Sequence, residues 1–436
     1  MAPAQDENHW RHMIEECFRR EAGPQTAIPD FSQDLIETGV LDSMAWVSFL
    51  RALESASGII DLGALLRDRT PSLESILQVI REARTNTQTE IQAGASFRDA
   101  DSSSASRSAA IIPAILASSG AVVGSRKIPS EEIDRAFGML EGKLRLRAGI
   151  ESLAYAAEGE NELTLGARAA QQALRSAVCG AQELDWIIAT SETHRSYPSL
   201  AALLHSRLLA RETCGALDVG GACLGLLNGL AVAQGLIASG QVRNILVITA
   251  DVHSTIFEPG RVAGEFGGLF GDGASAFLLR AKNAPAQQQA YALGEFFFGC
   301  AGQYAGAIRV SETPKGNLDV HFDGEALSRA AITRMEKVIL DVELRSGLAR
   351  SSALGLATHQ PNPRLVSLLG KQLGLPADKF PPVARTSGNL GSSTCGVALD
   401  AILRSAQTGP RVGLGPIFLA SLGPGLVFGG GWLVPA

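Results

Sequence analysis

Apolar positions in the first 85 residues fall at helical spacing. From His9 to Arg20, the residues Met13, Ile14, Cys17 and Phe18 share one face, which predicts a helix. A loop containing Pro24 and Pro29 follows. A second helix is expected from Asp42 to Ser57, with Asp42 and Ser43 as its cap and Trp46, Val47, Phe49 and Leu50 on its apolar face. A last helix is expected from Ser72 to Arg84, through Leu73, Ile76, Leu77 and Ile80. Residues 5–85 therefore read as a small all-α bundle. Residues 86–108 show no apolar periodicity, hold one aromatic and are rich in Ser, so they read as a flexible linker. A coil of that length reaches roughly 25–30 Å.

Beyond residue 109 short apolar runs alternate with longer periodic ones. Strands are expected at Trp186–Thr190, Asn244–Ala250, Ser275–Arg280, Leu354–Thr358 and Ile417–Ser421. Helices are expected at Leu163–Val178, Leu200–Ala210, Cys223–Ser239, Gly324–Gly347 and Arg364–Leu373. Such alternation implies α/β layers around mostly parallel sheets.

Composition narrows the class. Of 436 residues 46% are hydrophobic, enough for a large core, and 47 glycines with only 6% aromatics imply close packing on small residues. A net charge of −6 does not indicate a nucleic-acid surface. No apolar run is long enough for a membrane span, and the start of the chain lacks the basic and apolar regions of a signal peptide. The six cysteines form no C-x-x-C pair, so neither a zinc site nor a disulfide framework is implied, and no metal site is expected. A reducing, cytoplasmic location is the expectation.

The run from Ala216 to Leu236 holds the first candidate chemistry. Two glycines, Gly220 and Gly221, precede Ala222 and Cys223 at the start of a helix of small and apolar residues. Alone, such a cysteine reads as a small buried hydrophobe. As a nucleophile it would sit where free N–H groups and the helix dipole favour the thiolate. Two later phrases tip the balance: Thr358-His359-Gln360-Pro361-Asn362-Pro363-Arg364, and Thr386-Ser387-Gly388-Asn389-Leu390-Gly391-Ser392-Ser393 before another small-residue helix. Gly271-Asp272-Gly273-Ala274 and the closing Ser421-Leu422-Gly423-Pro424-Gly425 complete the set.

In this order the phrases resemble the thiolase-like condensing enzymes, specifically the β-ketoacyl-acyl-carrier-protein synthase III group, over roughly residues 109–436. The resemblance implies a five-layered α-β-α-β-α fold of two similar halves, 109–283 and 284–436, and a homodimer. It makes Cys223, His359 and Asn389 the catalytic residues, and Gly423, Pro424 and Gly425 the loop that closes the active site. Cys223 would hold an acyl group as a thioester, while His359 and Asn389 would stabilise the enolate oxygen formed when a malonyl thioester loses CO2.

Residues 5–85 in turn resemble an acyl carrier protein, through Asp34-Leu-Ile-Glu-Thr-Gly-Val-Leu-Asp42-Ser43 and the order of the helices. By that resemblance Ser43 carries 4'-phosphopantetheine and a phosphopantetheinyl transferase is a partner. Met44 stands where leucine is usual, and the helix after Ser43 carries little charge beyond Arg51 and Glu54. Other departures concern the condensing region. Pro424 has no N–H to give an oxyanion hole, which leaves more to the Cys223 N–H. Lys143 occupies the place of a tryptophan that stacks on the coenzyme A adenine, while Arg147 and Arg364 remain in positions to meet phosphates. Tyr197 falls where the family extends a residue towards its partner's acyl pocket. The histidines His194, His205, His253 and His321 read as structural, as do Cys179, Cys214, Cys300 and Cys395.

The expected function is decarboxylative Claisen condensation of an acyl thioester with a malonyl thioester, in fatty-acid or polyketide-type biosynthesis, with the carrier built in. The thioesters would be carrier-bound or borne by coenzyme A, and other carrier proteins are possible partners. Alternatives are acyl transfer to a small acceptor without loss of CO2, a non-decarboxylative Claisen reaction, and a scaffold that presents its carrier to other enzymes.

Overall fold

The structure, a computed structural model, describes residues 4–23, 25–57, 62–66, 69–90, 113–282, 290–313, 318–408 and 414–436. Contacts divide it into two units, the first made chiefly of residues up to Arg107 and the second of most of the remainder.

The first unit has four helices: α1 (Ala4–Ala22), α2 (Ser43–Ser57), α3 (Leu62–Leu65) and α4 (Leu73–Glu90). Their apolar stripes enclose one core, in which Ile14, Phe18, Leu35, Trp46, Phe49, Leu53, Ile76 and Ile80 are buried. Asp42 starts α2 as the sequence predicts, its carboxylate accepting the Ala45 N–H at 2.8 Å. Helix α4 runs on to Glu90, so the first residues of the expected linker are helical. The rest of that linker, and the boundary expected between residues 283 and 284, lie outside the described residues.

The second unit contains, in chain order, β1 (Ala114–Val123), α5 (Glu162–Ser176), β2 (Trp186–Thr190), α6 (Leu200–Leu208), β3 (Gly215–Asp218), α7 (Gly225–Ala238), β4 (Asn244–Val252), β5 (Asp272–Ala281), β6 (Tyr291–Cys300), α8 (Gly324–Ser346), β7 (Gly355–Thr358), α9 (Pro363–Leu373), α10 (Ser393–Thr408), β8 (Ile417–Gly423) and β9 (Val427–Pro435). Nine strands form one sheet in the order β7-β8-β9-β6-β1-β5-β4-β2-β3. Its two wings meet where β1 pairs with β6 through Ile115–Ala292 and Leu116–Tyr291.

The expectation of mostly parallel sheets is corrected. Only β2–β3, β2–β4 and β7–β8 are parallel neighbours; the other neighbouring pairs run antiparallel. For β8 and β9 the reason is connection length. Parallel neighbours need a crossover of a dozen or more residues, whereas β8 and β9 are joined by the turn Pro424–Leu426 and can only form a hairpin. Strands β1, β6 and β9 were not among those expected from the sequence.

Alternating strand residues sort into three cores, and these define the layers. Ile187, Leu246 and Ile248 pack with Leu165 and Ala169 of α5 and Leu200 and Leu204 of α6. Their neighbours Ile188, Ile245 and Val247 face the other way, onto Leu226, Leu227 and Leu230 of α7 and Leu399 and Ile402 of α10. Ile417, Leu419 and Ala357 enter this same central core, while Phe418, Ala420 and Leu356 face Val338 and Ile339 of α8 and Leu369 of α9. The result is helix, sheet, helix, sheet, helix, with α7 and α10 in the middle layer.

Small residues set how closely the middle layer approaches. A Cβ added at Gly225, the first residue of α7, would lie 2.0 Å from Thr190 Oγ1 at the end of β2. On α7, Gly235 has nothing within 4 Å of such a Cβ. Gly225→Ala should therefore cost about 1–3 kcal/mol by overpacking and slow alkylation of Cys223. Gly235→Ala should be neutral or stabilising by up to about 1 kcal/mol. Thermal unfolding and iodoacetamide labelling of the two variants check this contrast.

Candidate active site

Cys223 lies in a 3-10 turn, Ala222–Leu224, between β3 and α7. The turn is sharp: Gly221 has φ +133° and Ala222, a residue with a side chain, has φ +49°. That left-handed conformation costs an alanine roughly 1–2 kcal/mol and is held by the packing around it. The cysteine is 7% exposed. Its pKa lies well above the usual thiol value because of burial first, and then the nearby Glu192 carboxylate and the charge of Asp251. The expected resting thiolate is therefore corrected to a protonated thiol. Desolvation and two acids outweigh the turn's backbone N–H contribution.

His359 follows β7 and is also buried. Burial pushes its pKa down to about 4, against the pull of Glu192, so the ring is neutral at neutral pH. Its Nδ1 is buried without a hydrogen-bond partner. Consecutive residues of β8 hold the two main chains: the Ala420 carbonyl accepts the His359 N–H at 3.0 Å, and Ser421 Oγ donates to the Cys223 carbonyl at 2.8 Å. The sequence-predicted cysteine and histidine are thus brought together by one strand.

Asn389 is buried in the turn before α10. Its amide oxygen accepts the Gly391 N–H at 3.0 Å and Thr394 Oγ1 at 3.2 Å. With the oxygen engaged, the amide nitrogen is left as a donor with no hydrogen-bond partner among the described residues. The site so far offers one buried thiol and two neutral donor side chains.

The closing loop lies over the nucleophile. A Cβ at Gly423 would come within 3.2 Å of the Gly221 carbonyl oxygen and 3.6 Å of the Cys223 nitrogen. Pro424 begins the turn between β8 and β9, and Gly425 supplies its left-handed residue at φ +78°. Arg147, in the π-helical turn Leu144–Ala148, and Arg364, at the start of α9, are both exposed. Their segments meet: a Cβ at Gly149 would sit 3.2 Å from Pro363 Cβ and 3.7 Å from Arg364 Cγ. Lys143 is ion-paired with Glu265. Tyr197 is 98% exposed on the single chain. Ser43 is the first residue of α2, in the other unit.

Two charged neighbours were missed by the sequence reading. Glu192 follows β2, and His253, read as structural, follows β4 and is 1% exposed. Parallel pairing of β2 with β4 carries the two into one place, with His253 Nε2 3.8 Å from Glu192 Oε2. Asp251 binds the Glu192 N–H at 2.6 Å and Ser392 Oγ at 2.6 Å. Burial opposes charge on His253, but the Glu192 carboxylate and the charges of Asp251 and Asp272 hold its pKa up to about 9. Burial and the Glu192 charge push Asp251 above the usual carboxylate range. Among the described residues no group of His, Cys, Asp and Glu could hold a metal ion, and no helix is long and apolar enough to cross a membrane. Cys395, expected to be structural, donates to the Ala357 carbonyl in the middle layer.

The depressed pKa of His359 has a stability consequence. A group whose folded pKa lies below its unfolded value contributes stability above the unfolded pKa and loses it as pH falls. Between the usual 6.5 and about 4, His359 should cost the fold up to about 3 kcal/mol. Urea unfolding at pH 7 and pH 4.5 should therefore show a smaller loss for His359→Gln than for the native chain.

Comparison with known proteins now gives these residues a context. Residues 217–302 match the family model of 3-oxoacyl-[acyl-carrier-protein (ACP)] synthase III, and residues 345–434 match that of its C-terminal region. Neither model reaches the helical first unit. The β-ketoacyl-[acyl-carrier-protein] synthase III of Neisseria meningitidis serogroup A is 29% identical over 297 residues, which is 67% of this chain and 91% of that protein. Among solved structures, the priming β-ketosynthase of the R1128 polyketide pathway superposes with a TM-score of 0.67 at 24% identity, covering 76% of this chain and 99% of that one. The 3-oxoacyl-(acyl carrier protein) synthase III of Pseudomonas aeruginosa gives 0.66 at 24% identity, with coverage of 74% and 99%. The fold of the second unit is thiolase-like. The second unit is thus similar to β-ketoacyl synthase III proteins in its matched segments and shares their fold.

Proposed function

We propose that the chain catalyses decarboxylative Claisen condensation of an acyl thioester with a malonyl thioester, in fatty-acid or polyketide-type biosynthesis. The observation that carries the reading is a pair of buried neutral donors, one of which, His359, is held by the same strand as the thiol. His359 is held uncharged by burial, and Asn389 has its oxygen tied down so that its N–H2 is the free end. Two such donors suit an oxygen that becomes negative when a malonyl group loses CO2. Simple acyl transfer forms no enolate and has little use for both. Cys223 takes the acyl group as a thioester, and the carbanion attacks that carbonyl to leave a β-ketoacyl product. The Cys223 N–H, against which Gly423 packs, serves the oxyanion of that second step, since Pro424 has no N–H.

The first unit is read as the acyl carrier, and Ser43 as the residue that bears 4'-phosphopantetheine. Two features support this: Ser43 opens α2 directly after the exposed, capping Asp42, and that helix is rooted in the core by Trp46 and Phe49. When attached, the group supplies a thiol on a flexible tether. A phosphopantetheinyl transferase is then a required partner. Arg147 and Arg364 are proposed to meet phosphates of incoming thioesters. A homodimer is supported by two features of the single chain: β3 ends the sheet with Leu217 exposed, and Tyr197 projects from the surface. A cytoplasmic location goes with the free thiol chemistry.

Intact-protein mass spectrometry tests this. The phosphopantetheinylated chain, given malonyl and acyl donors, should gain a mass on Ser43 equal to an acyl chain longer by two carbons. Cys223→Ala and Ser43→Ala should both lack it. An acyl group that reaches Cys223 and is never extended, with malonyl loaded, would sink the decarboxylative reading.

A further inference from the structure

Among the described residues, Glu192 carries the carboxylate that acts most strongly on the Cys223 thiol, and the reaction as proposed does not use it. It reaches Cys223 because the end of β2 is pressed against the start of α7. Thr190, two residues before Glu192, leaves no room for a Cβ at Gly225, two residues after Cys223. The Glu192 main chain is fixed by its N–H bond to Asp251 Oδ1 at 2.6 Å, and Asp251 is itself tied to Ser392 at 2.6 Å. Of the two carboxylate oxygens, Oε2 lies 3.8 Å from His253 Nε2, while Oε1 is buried with no hydrogen-bond partner. A buried, unpartnered acceptor beside a buried thiol needs an explanation, because leaving it so costs about 1–3 kcal/mol or more.

His253 is itself immobilised. Its Nδ1 is 3.0 Å from the Gly271 carbonyl, and Phe270 and Phe257 flank the ring at 4.8 and 5.6 Å between centroids. A Cβ at Gly391 would strike the ring at 2.6 Å, so the Asn389 turn also bounds it. The groups that face Glu192 are Cys223, His253, His359 and Asp251, and His253 additionally feels Asp272.

We infer that Glu192 is the general base that removes the Cys223 thiol proton, and that His253 is the positioning residue that holds the Glu192 carboxylate. The inference rests on Cys223 as the residue that accepts the acyl group. In the step, the Sγ–H bond breaks and an O–H bond forms on Glu192 Oε1. A bond forms between Sγ and the acyl carbonyl carbon as the carbon–sulfur bond to the donor thiol breaks. The departing sulfur takes the proton back from Glu192, so the exchange is balanced in atoms and charge. A protonated resting thiol, which would otherwise be a defect in a nucleophile, is then the expected starting state.

The test separates proton removal from simple charge. Short acyl-pantetheine thioesters are the acyl donors, and acylation of Cys223 is followed by mass spectrometry without any malonyl compound. Iodoacetamide, which needs only thiolate, is used in parallel. In Glu192→Gln the negative charge beside the thiol is gone, so alkylation at pH 7 should become faster. Acylation should become slower by about a hundredfold, because the base is lost. Faster alkylation also shows that the variant is folded. Acylation that is unchanged or faster in Glu192→Gln would overturn the inference, and so would a parallel fall in both rates. In His253→Gln the limb of acylation that rises with pH should move up by about one pH unit or more, since an opposite charge near Glu192 has been removed. An unmoved limb would overturn the positioning role. Failure of chain extension leaves this half-reaction intact, whereas a native Cys223 that never acylates sinks both the inference and the reading beneath it.

Discussion

Two residues of the candidate site, Cys223 and His359, hang on β8. Its Ala420 carbonyl fixes the main chain of His359 and its Ser421 hydroxyl fixes that of Cys223, although the two residues are 136 positions apart in the sequence. The strand can do this because it is buried on both sides, with Leu419 in the middle layer and Phe418 and Ala420 against α8 and α9. A strand so enclosed cannot shift register without turning its apolar side chains out of two cores at once. Cys223 and His359 therefore share one rigid reference, and the Gly423-Pro424-Gly425 turn that ends the strand is delivered to the Cys223 N–H by the same constraint.

That rigidity carries an electrostatic load. Glu192, Asp251, His253 and Asp272 are gathered within a low-dielectric interior, where an unbalanced charge is expensive. The cluster balances itself by unequal sharing. His253 keeps its proton because three acids surround it, and Asp251 is pushed towards its neutral form by burial and by Glu192. Glu192, next to the cation, is held below the usual carboxylate range despite burial. His359, which meets only one of these acids at a distance and no cation-stabilising bond, falls the other way and stays neutral. Two histidines near Glu192 are thus set to opposite charge states by which strand ends they follow. The neutral one is a donor that does not compete for protons; the charged one anchors an acid.

The same logic explains what the sequence could and could not disclose. Cys223, His359 and Asn389 are legible because each sits in a turn whose glycines, prolines and small residues mark it locally. The strands and helices with one clear period were legible for a similar reason, and Trp186–Thr190 coincides with β2 to the residue. Strands β1, β6 and β9 were hidden by their composition. Val427–Pro435 contains three consecutive glycines, and its place in the sheet is secured by hairpin connection to β8 rather than by propensity. Glu192 and His253 were hidden by topology. They follow different strands, 61 positions apart, and no spacing rule links them. Only the parallel register of β2 on β4, in which Thr190 lies opposite Thr249, brings the following loops together. The shift that reversed the expected thiolate was equally non-local, since the acids responsible, Glu192 and Asp251, come from the ends of those same two strands.

The charges of the first unit fit a carrier that does not depend on long-range attraction. Helix α2 has no acid in its first turn, and Arg51 and Glu54 bond to each other at 2.8 Å, so that pair presents no net charge. Of the other groups along it, Ser48 is bound to Glu21 of α1 at 2.6 Å and Asp42 is engaged in capping. A carrier diffusing freely to its enzyme gains rate from an acidic helix that steers it, and that gain falls as salt rises. A carrier joined to its enzyme by a chain segment meets it at an effective concentration near millimolar whatever the salt. Neutralising α2 then removes the attraction to other enzymes' basic surfaces while the tether preserves the encounter with its own. On the reading proposed above, the covalent connection is what allows the carrier helix to be electrically quiet.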